Sequence, residues 1–383
     1  MFLLYTLITG FVTKCYKIDF FELTVVLLCI LPLQGALASY NEYQQPFIHG
    51  ILAFKDYYLL VSALFIYYLL KRDIISIKEL EQGFMVAALI SLAGFYILSL
   101  ATNPAKYADT IIAGSQTTKG DTIYYRFNMG LIFYGTVYFF ILFLKTSGIK
   151  HLILTGLFAL YIFAFRLDRT SMLATMAALF AAWLIASPRL HKVWSLIYVY
   201  LPFLLITVCI LMIFPSIYDR ISVMFWDAFA TLIGENDAAG QAKLRSYEAA
   251  IATRQVVEHP ILGNGRVSNT WLEGAFDNFY RFFYPSDVGI LGTVFVFGVP
   301  GTLVLYFPFL LALYVIYSLL LNGVHKALKN KFFISLVFYL FLLFVDGLSN
   351  GSQIIFSAQS SIATMAIYFI YQKQNALKKN SLF

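Results

Sequence analysis

"SDVGILGTVFVFGVPGTLVLYFPFLLALYVIYSL" occupies residues 286–319 and carries no charge after Asp287. Helical spanning of a ~30 Å hydrocarbon core takes about 20 apolar residues, and this run has 34. At about 1.5 Å per residue it would be ~50 Å long, so it is strongly tilted or projects from the bilayer. Pro300 and Pro308 predict kinks, because each removes a backbone donor. The run does not alternate with period two, as a barrel strand of about ten residues would, so it reads as a helix.

The same reading extends outward to nine further segments: 20–38, 51–70, 84–101, 127–145, 151–165, 170–186, 192–214, 332–347 and 353–371. Composition agrees. The chain is 60% hydrophobic and 12% charged, against about 25% charged in a soluble domain. A soluble fold of this composition would expose large apolar patches. The expected class is an all-α integral membrane protein with about ten transmembrane helices and one large extracytoplasmic loop. Its regions are an N-terminal transmembrane part (1–214), the loop (215–285) and a C-terminal transmembrane part (286–383).

Several other classes are not favoured. "MFLLYTLITGFVTK" has no basic residue ahead of its apolar run and no small-residue cleavage site, unlike a secretory signal peptide. That run, 13 residues, is short for a span and suits the interface. Cys15, Cys29 and Cys209 fall in or beside apolar segments and read as small core residues. The five histidines show no paired spacing, so no metal site is expected. No internal repeat is visible.

Basic residues orient the chain. Lys14/Lys17, Lys71/Arg72/Lys78, Lys145/Lys150, Arg189/Lys192, Lys326/Lys329/Lys331 and Lys373/Lys378/Lys379 all fall on one side of a ten-span topology. The positive-inside rule makes that side cytoplasmic, with both termini inside and 215–285 outside. Arginine is distributed differently from lysine. Arg126, Arg166, Arg169, Arg220, Arg245, Arg254, Arg266 and Arg281 lie in outer loops or at outer helix ends. Topology needs only positive charge, whereas the planar guanidinium grips phosphate oxygens in pairs. An arginine-rich outer face therefore points to a phosphate ligand. The competing reading is headgroup anchoring and ion pairing with Asp and Glu.

"QAKLRSYEAAIATRQVVEH" (241–259) reads as a helix with Leu244, Tyr247, Ile251, Arg254 and Glu258 on one stripe. An Arg245–Glu248 pair would be a simple local contact. His259-Pro260 stops the helix. Gly263 and Gly265 in "ILGNGR" then permit positive φ and close approach of backbone N–H groups to an anion.

An arginine opening that helix, then "HPILGNG" (259–265), then "FDNFYRFFYPSDVGILGTVFVFGVPG" (276–301), resembles the C-terminal half of the O-antigen polymerase and O-antigen ligase superfamily. "RFNMG" (126–130) and "RLDRTSML" (166–173) are similar to two further motifs of that family. The resemblance covers residues 120–305; the first hundred residues match only in hydropathy. It implies a membrane-embedded, GT-C-like glycosyltransferase that needs no metal and no cofactor. The implied substrates are oligosaccharides on undecaprenyl pyrophosphate, at the outer face of the bacterial cytoplasmic (inner) membrane. Membrane lipids and a chain-length regulator are implied partners, and nucleic acid is not. Family ligases carry a histidine before the Asn of "DN" (277–278), where this chain has Asp277. That departure favours the polymerase side.

In this reading Arg245 and Arg266 are catalytic, and Arg126, Arg169, Arg254 and Arg281 hold the pyrophosphate. Pyrophosphate leaves readily once its charge is neutralised. The attacking hydroxyl needs a base, and Asp277, Asp287, Glu273 and Glu248 are candidates, Asp277 preferred. Asp287 also reads as a helix N-cap. The aromatic residues at 276, 279, 280 and 282–284 suit either sugar stacking or an interfacial belt. Two alternatives stand beside the polymerase. One is a ligase that attaches glycan to lipid A-core. The other is a flippase or transporter for lipid-linked oligosaccharides, which would place charges along a midplane path and often shows repeat symmetry.

Overall fold

The computed structural model of the protein describes residues 20–101, 116–119, 122–125, 130–166, 169–186, 241–268, 271, 283–321, 330–350 and 353–380. The expected span at 192–214 and the apolar start at 1–13 lie outside the described residues, as does most of 215–285. The described residues are helical apart from one hairpin and the connecting turns and loops. The helices are α1 (Phe20–Tyr43), α2 (Phe47–Ala53), α3 (Leu60–Lys71), α4 (Ile77–Ala101), α5 (Gly130–Thr146) and α6 (Ile149–Leu160). They continue with α7 (Arg169–Ala186), α8 (Gln241–Glu258), α9 (Ile290–Leu321), α10 (Lys331–Asn350) and α11 (Gln353–Asn380). The hairpin pairs β1 (Gln116–Lys119) with β2 (Thr122–Tyr125), antiparallel, with Gln116 opposite Tyr125.

The protein is a helical membrane protein in composition and form. Among the described residues, four helices are long and apolar enough to cross a bilayer: Phe21–Tyr43, Ile77–Ile97, Ile290–Ser318 and Lys331–Leu348. Leu60–Lys71, Leu131–Thr146, Ile149–Phe163 and Thr170–Ile185 are shorter apolar helices. Large aliphatic side chains such as Ile90, Ile97, Leu303 and Leu313 stand exposed on these helices. In water that would be an aggregation hazard; in lipid it costs nothing.

Two compact units divide the chain, and they interleave along it. The first takes residues 1–77, 247–323 and 347–383. Here α1 contacts α2, α3 and α9, and α11 contacts α3 and α9. Small residues set the closest approach: a Cβ on Gly50 would meet Ala36 of α1, and one on Gly35 would meet the Phe54 ring. At one end Lys71 Nζ lies 3.5 Å from the buried Glu22 carboxylate and over the Tyr67 ring.

The second unit takes 78–246 and 324–346. Its centre is α5, whose residues from Ile132 to Leu142 are buried on nearly every side. A helix that is apolar all round belongs in the middle of a bundle. α6 and α7 lie against it, with Gly135 under the Phe158 ring. Phe84, Tyr134, Tyr339 and Phe332 form an edge-to-face aromatic cluster. At its polar end Glu81 accepts from Tyr138 Oη at 2.6 Å and pairs with Lys331 at 3.3 Å.

Three expected spans are not simple α-helices, and one of them, 151–165, passes from α6 into a π-helical stretch at Tyr161–Arg166. The segment 51–70 is broken at Phe54: α2 ends, a 3-10 turn covers Lys55–Leu59, and α3 follows. The segment 286–319 begins with a 3-10 turn at Pro285–Val288, and its helix is interrupted at Gly298, which has φ 66° and ψ 179°. The kink therefore sits at Gly298, two residues before Pro300, rather than at the prolines themselves.

Candidate functional site

The polar loop 259–268 lies in the first unit, against the break in α9. α8 ends at Glu258, as His259-Pro260 requires, and His259 Nε2 sits 3.1 Å from Glu42 Oε2. In an unbroken helix the Val299 N–H would bond to Phe295 O, and residue 300 would donate to Val296 O. Pro300 has no N–H, and Val299 N donates instead to Pro260 O at 2.8 Å. The two orphaned carbonyls are taken by the loop: Asn264 N donates to Phe295 O at 2.7 Å and Gly265 N to Val296 O at 3.0 Å. Gln34 of α1 completes the exchange, its Nε2 donating to Phe297 O at 2.6 Å. A loop and a broken helix thus satisfy each other's backbones in an apolar setting, where irregular backbone is otherwise costly.

This arrangement corrects the anion-nest expectation. Gly263 and Gly265 do have positive φ, 72° and 74°. Their N–H groups, and that of Asn264, bond to protein carbonyls. The glycines are required by packing: a Cβ on Gly263 would meet the backbone of Val296 and Gly298, and one on Gly265 would meet Gly35 and Ser39 of α1.

Arg266 follows directly. Gln45, fully buried in the turn after α1, spans this strand-like segment. Its Nε2 donates to Arg266 O at 3.2 Å, and its Oε1 accepts from Ser268 N at 2.8 Å. Val267 faces the core, and Arg266 is half-buried on the other side. Arg266 Nη1 lies 3.4 Å from Ala53 O, the terminal carbonyl of α2. A cation at a helix C-terminus is favourable by about 0.3–1 kcal/mol. Among the described residues no carboxylate pairs with Arg266.

The other candidates fall differently. Arg254 is exposed and paired with Glu258 at 3.1 Å, four residues on. The stripe expected on α8 is also shifted: Tyr247 is half exposed, while Glu248 and Ala252 are buried. Glu248 accepts from Tyr284 N at 3.2 Å and so ties α8 to the residues leading into α9. Asp287 lies in the 3-10 turn, accepts from Ser286 Oγ and is separated from α9 by Val288 and Gly289, so it is not that helix's N-cap. Arg245 lies in the first turns of α8 and Arg169 opens α7, both described by backbone alone. Asp277, Glu273, Arg126 and Arg281 lie outside the described residues.

The sequence reading missed three groups. Gln34 and Gln45 carry no motif, and only their partners more than 200 residues away give them a role. Asp346 was legible as a carboxylate in an apolar run. It is fully buried and accepts from Ser171 Oγ of the α7 first turn at 2.7 Å, within the second unit. Among the described residues no cluster of His, Cys, Asp and Glu could hold a metal ion. Comparison with known proteins gives no match to a family model, a curated protein or a solved structure.

Proposed function

We propose that this chain is a polysaccharide polymerase of the O-antigen type, a glycosyltransferase using undecaprenyl-pyrophosphate-linked glycans. It has ten spans, both termini in the cytoplasm, and its site on the outer face of the inner membrane. The observation that carries the reading is Arg266: a half-buried guanidinium with no carboxylate partner among the described residues, on a backbone held from both sides. Arginine segregation to the outer loops and the order of the motifs around 126, 166 and 259–301 support it. Arg254 meets Glu258 in an exposed pair, the competing role expected for an outer-face arginine.

In the reaction the anomeric C–O bond of the growing glycan to its pyrophosphate breaks. A new C–O bond forms to a hydroxyl of the incoming lipid-linked repeat unit. The hydroxyl proton passes to Asp277, and undecaprenyl pyrophosphate leaves with its charge neutralised by Arg266, Arg245, Arg169, Arg126 and Arg281. Donors fixed before the reaction stabilise developing charge without reorganisation, which is why a clamped arginine is more effective than a mobile one.

Purified protein in nanodiscs, supplied with lipid-linked repeat units, should yield a polymer ladder. Arg266→Lys keeps the charge and loses the fork, and should slow ladder formation at least about tenfold. Asp277→Asn cannot take a proton and should lose about 10²–10⁴-fold. No ladder from the wild type, or normal ladders from both variants, would sink the proposal.

A further inference from the structure

We infer that Gln45 is the positioning residue for Arg266, an inference that rests on the phosphate-binding reading of that arginine. In an extended segment the C=O of one residue and the N–H of the residue two further on point to the same edge, where a neighbouring strand would normally pair with both. Among the described residues no strand lies there. The Gln45 carboxamide takes its place, with its N–H on Arg266 O and its oxygen on Ser268 N. The side chain has no exposed surface, yet its nitrogen and its oxygen each have a backbone partner.

Gln45 is itself anchored. Gln44 turns the chain out of α1 with φ 59°, Gln45 N donates to Ser39 O at 3.4 Å, and Pro46 starts the next helix. Ser39 is also the residue that Gly265 presses against. The end of α1 thus grips the loop at two neighbouring points, 265 and 266–268. With the backbone fixed and Val267 turned into the core, the Arg266 side chain has one side left to it, and it emerges beside the end of α2. A guanidinium held in this way loses little further freedom on gripping a phosphate.

Chemistry at position 45 is restrictive. Leucine would fill the space but bond to neither backbone group. Glutamate would keep the acceptor for Ser268 N, lose the donor to Arg266 O, and set a negative charge beside the arginine that is meant to attract an anion.

The test is a double-mutant cycle on binding of undecaprenyl pyrophosphate to the full-length protein in nanodiscs, with hydrogen exchange at Ser268 measured alongside. Gln45→Leu should weaken binding about tenfold at an unchanged folded fraction and should speed exchange of the Ser268 amide. Gln45→Glu should weaken it at least as much. Arg266→Ala should weaken it about tenfold or more, and adding Gln45→Leu to Arg266→Ala should change it by less than about twofold, because a residue that acts through another has no further effect once that one is gone. Independent losses that multiply would overturn the inference, as would unchanged Ser268 exchange in Gln45→Leu. Normal binding by Gln45→Leu with a loss in Arg266→Ala overturns the clamp alone. Normal binding by Arg266→Ala overturns the phosphate reading and the clamp's purpose together.

Discussion

Three glycines in the first unit sit where no other residue fits. Gly263, Gly265 and Gly298 each combine positive φ with backbone atoms in the space a Cβ would take. Alanine there carries a left-handed backbone penalty of about 1–2 kcal/mol and an overpacking penalty of about 1–3 kcal/mol. Each Gly→Ala variant should lower the melting midpoint in detergent clearly, and Gly265→Ala should also displace Arg266. Gly83 and Gly94 of α4 are the controls, because nothing lies within 4 Å of a Cβ at either. Gly83→Ala and Gly94→Ala should be neutral or stabilising by up to about 1 kcal/mol, since alanine is the better helix former. Equal midpoints for the two groups would show that the loop is not seated as described.

At the scale of elements, the break in α9 is a hydrogen-bond exchange, and its parts can be removed singly. Pro300→Ala restores a backbone donor that can compete for Val296 O, the acceptor used by Gly265 N. The protein should stay folded, and exchange of the Gly265 amide should accelerate. Exchange at the wild-type rate would mean that Gly298 alone sets the break. Gln34→Leu removes the donor from Phe297 O and should cost about 1–3 kcal/mol, because the carbonyl stays buried. In the second unit Ser171→Ala removes the donor that meets the buried Asp346 carboxylate. A loss of about 1–3 kcal/mol is expected there too, read as a lower melting midpoint. An unchanged midpoint would place that bond among the dispensable ones.

For the whole molecule the decisive quantity is sidedness. Asp73, in the turn after α3, and Asp287, in the turn before α9, are both exposed and lie on opposite sides in the ten-span topology. With Cys15, Cys29 and Cys209 replaced, Asp287→Cys should react with an impermeant maleimide in intact spheroplasts, and Asp73→Cys only after permeabilisation. The reverse pattern would invert the protein and move the arginine-rich loops to the cytoplasmic side, where no extracytoplasmic glycan could meet them.

Helical class and segment limits were legible in the sequence, because hydropathy over some twenty residues and a stop such as His259-Pro260 are local properties. α8 ends at Glu258, and α4, α5 and α10 overlap the apolar runs at 84–101, 127–145 and 332–347. Part of the candidate site was legible as well: the glycine loop and Arg266 stand out against the apolar chain. What the loop does there was not. The spacing of Gly263 and Gly265 is the same whether their amides face an anion or the carbonyls of a broken helix. Only the tertiary structure brings Phe295 and Val296, some thirty residues on, to those amides. It also decided the break at Phe54, the buried face of α8 and the interleaving of the two units. The physical reason is the range of the interactions. A buried backbone group must find a partner wherever the fold supplies one, and here Gln34 and Gln45 supply it from more than 200 residues away.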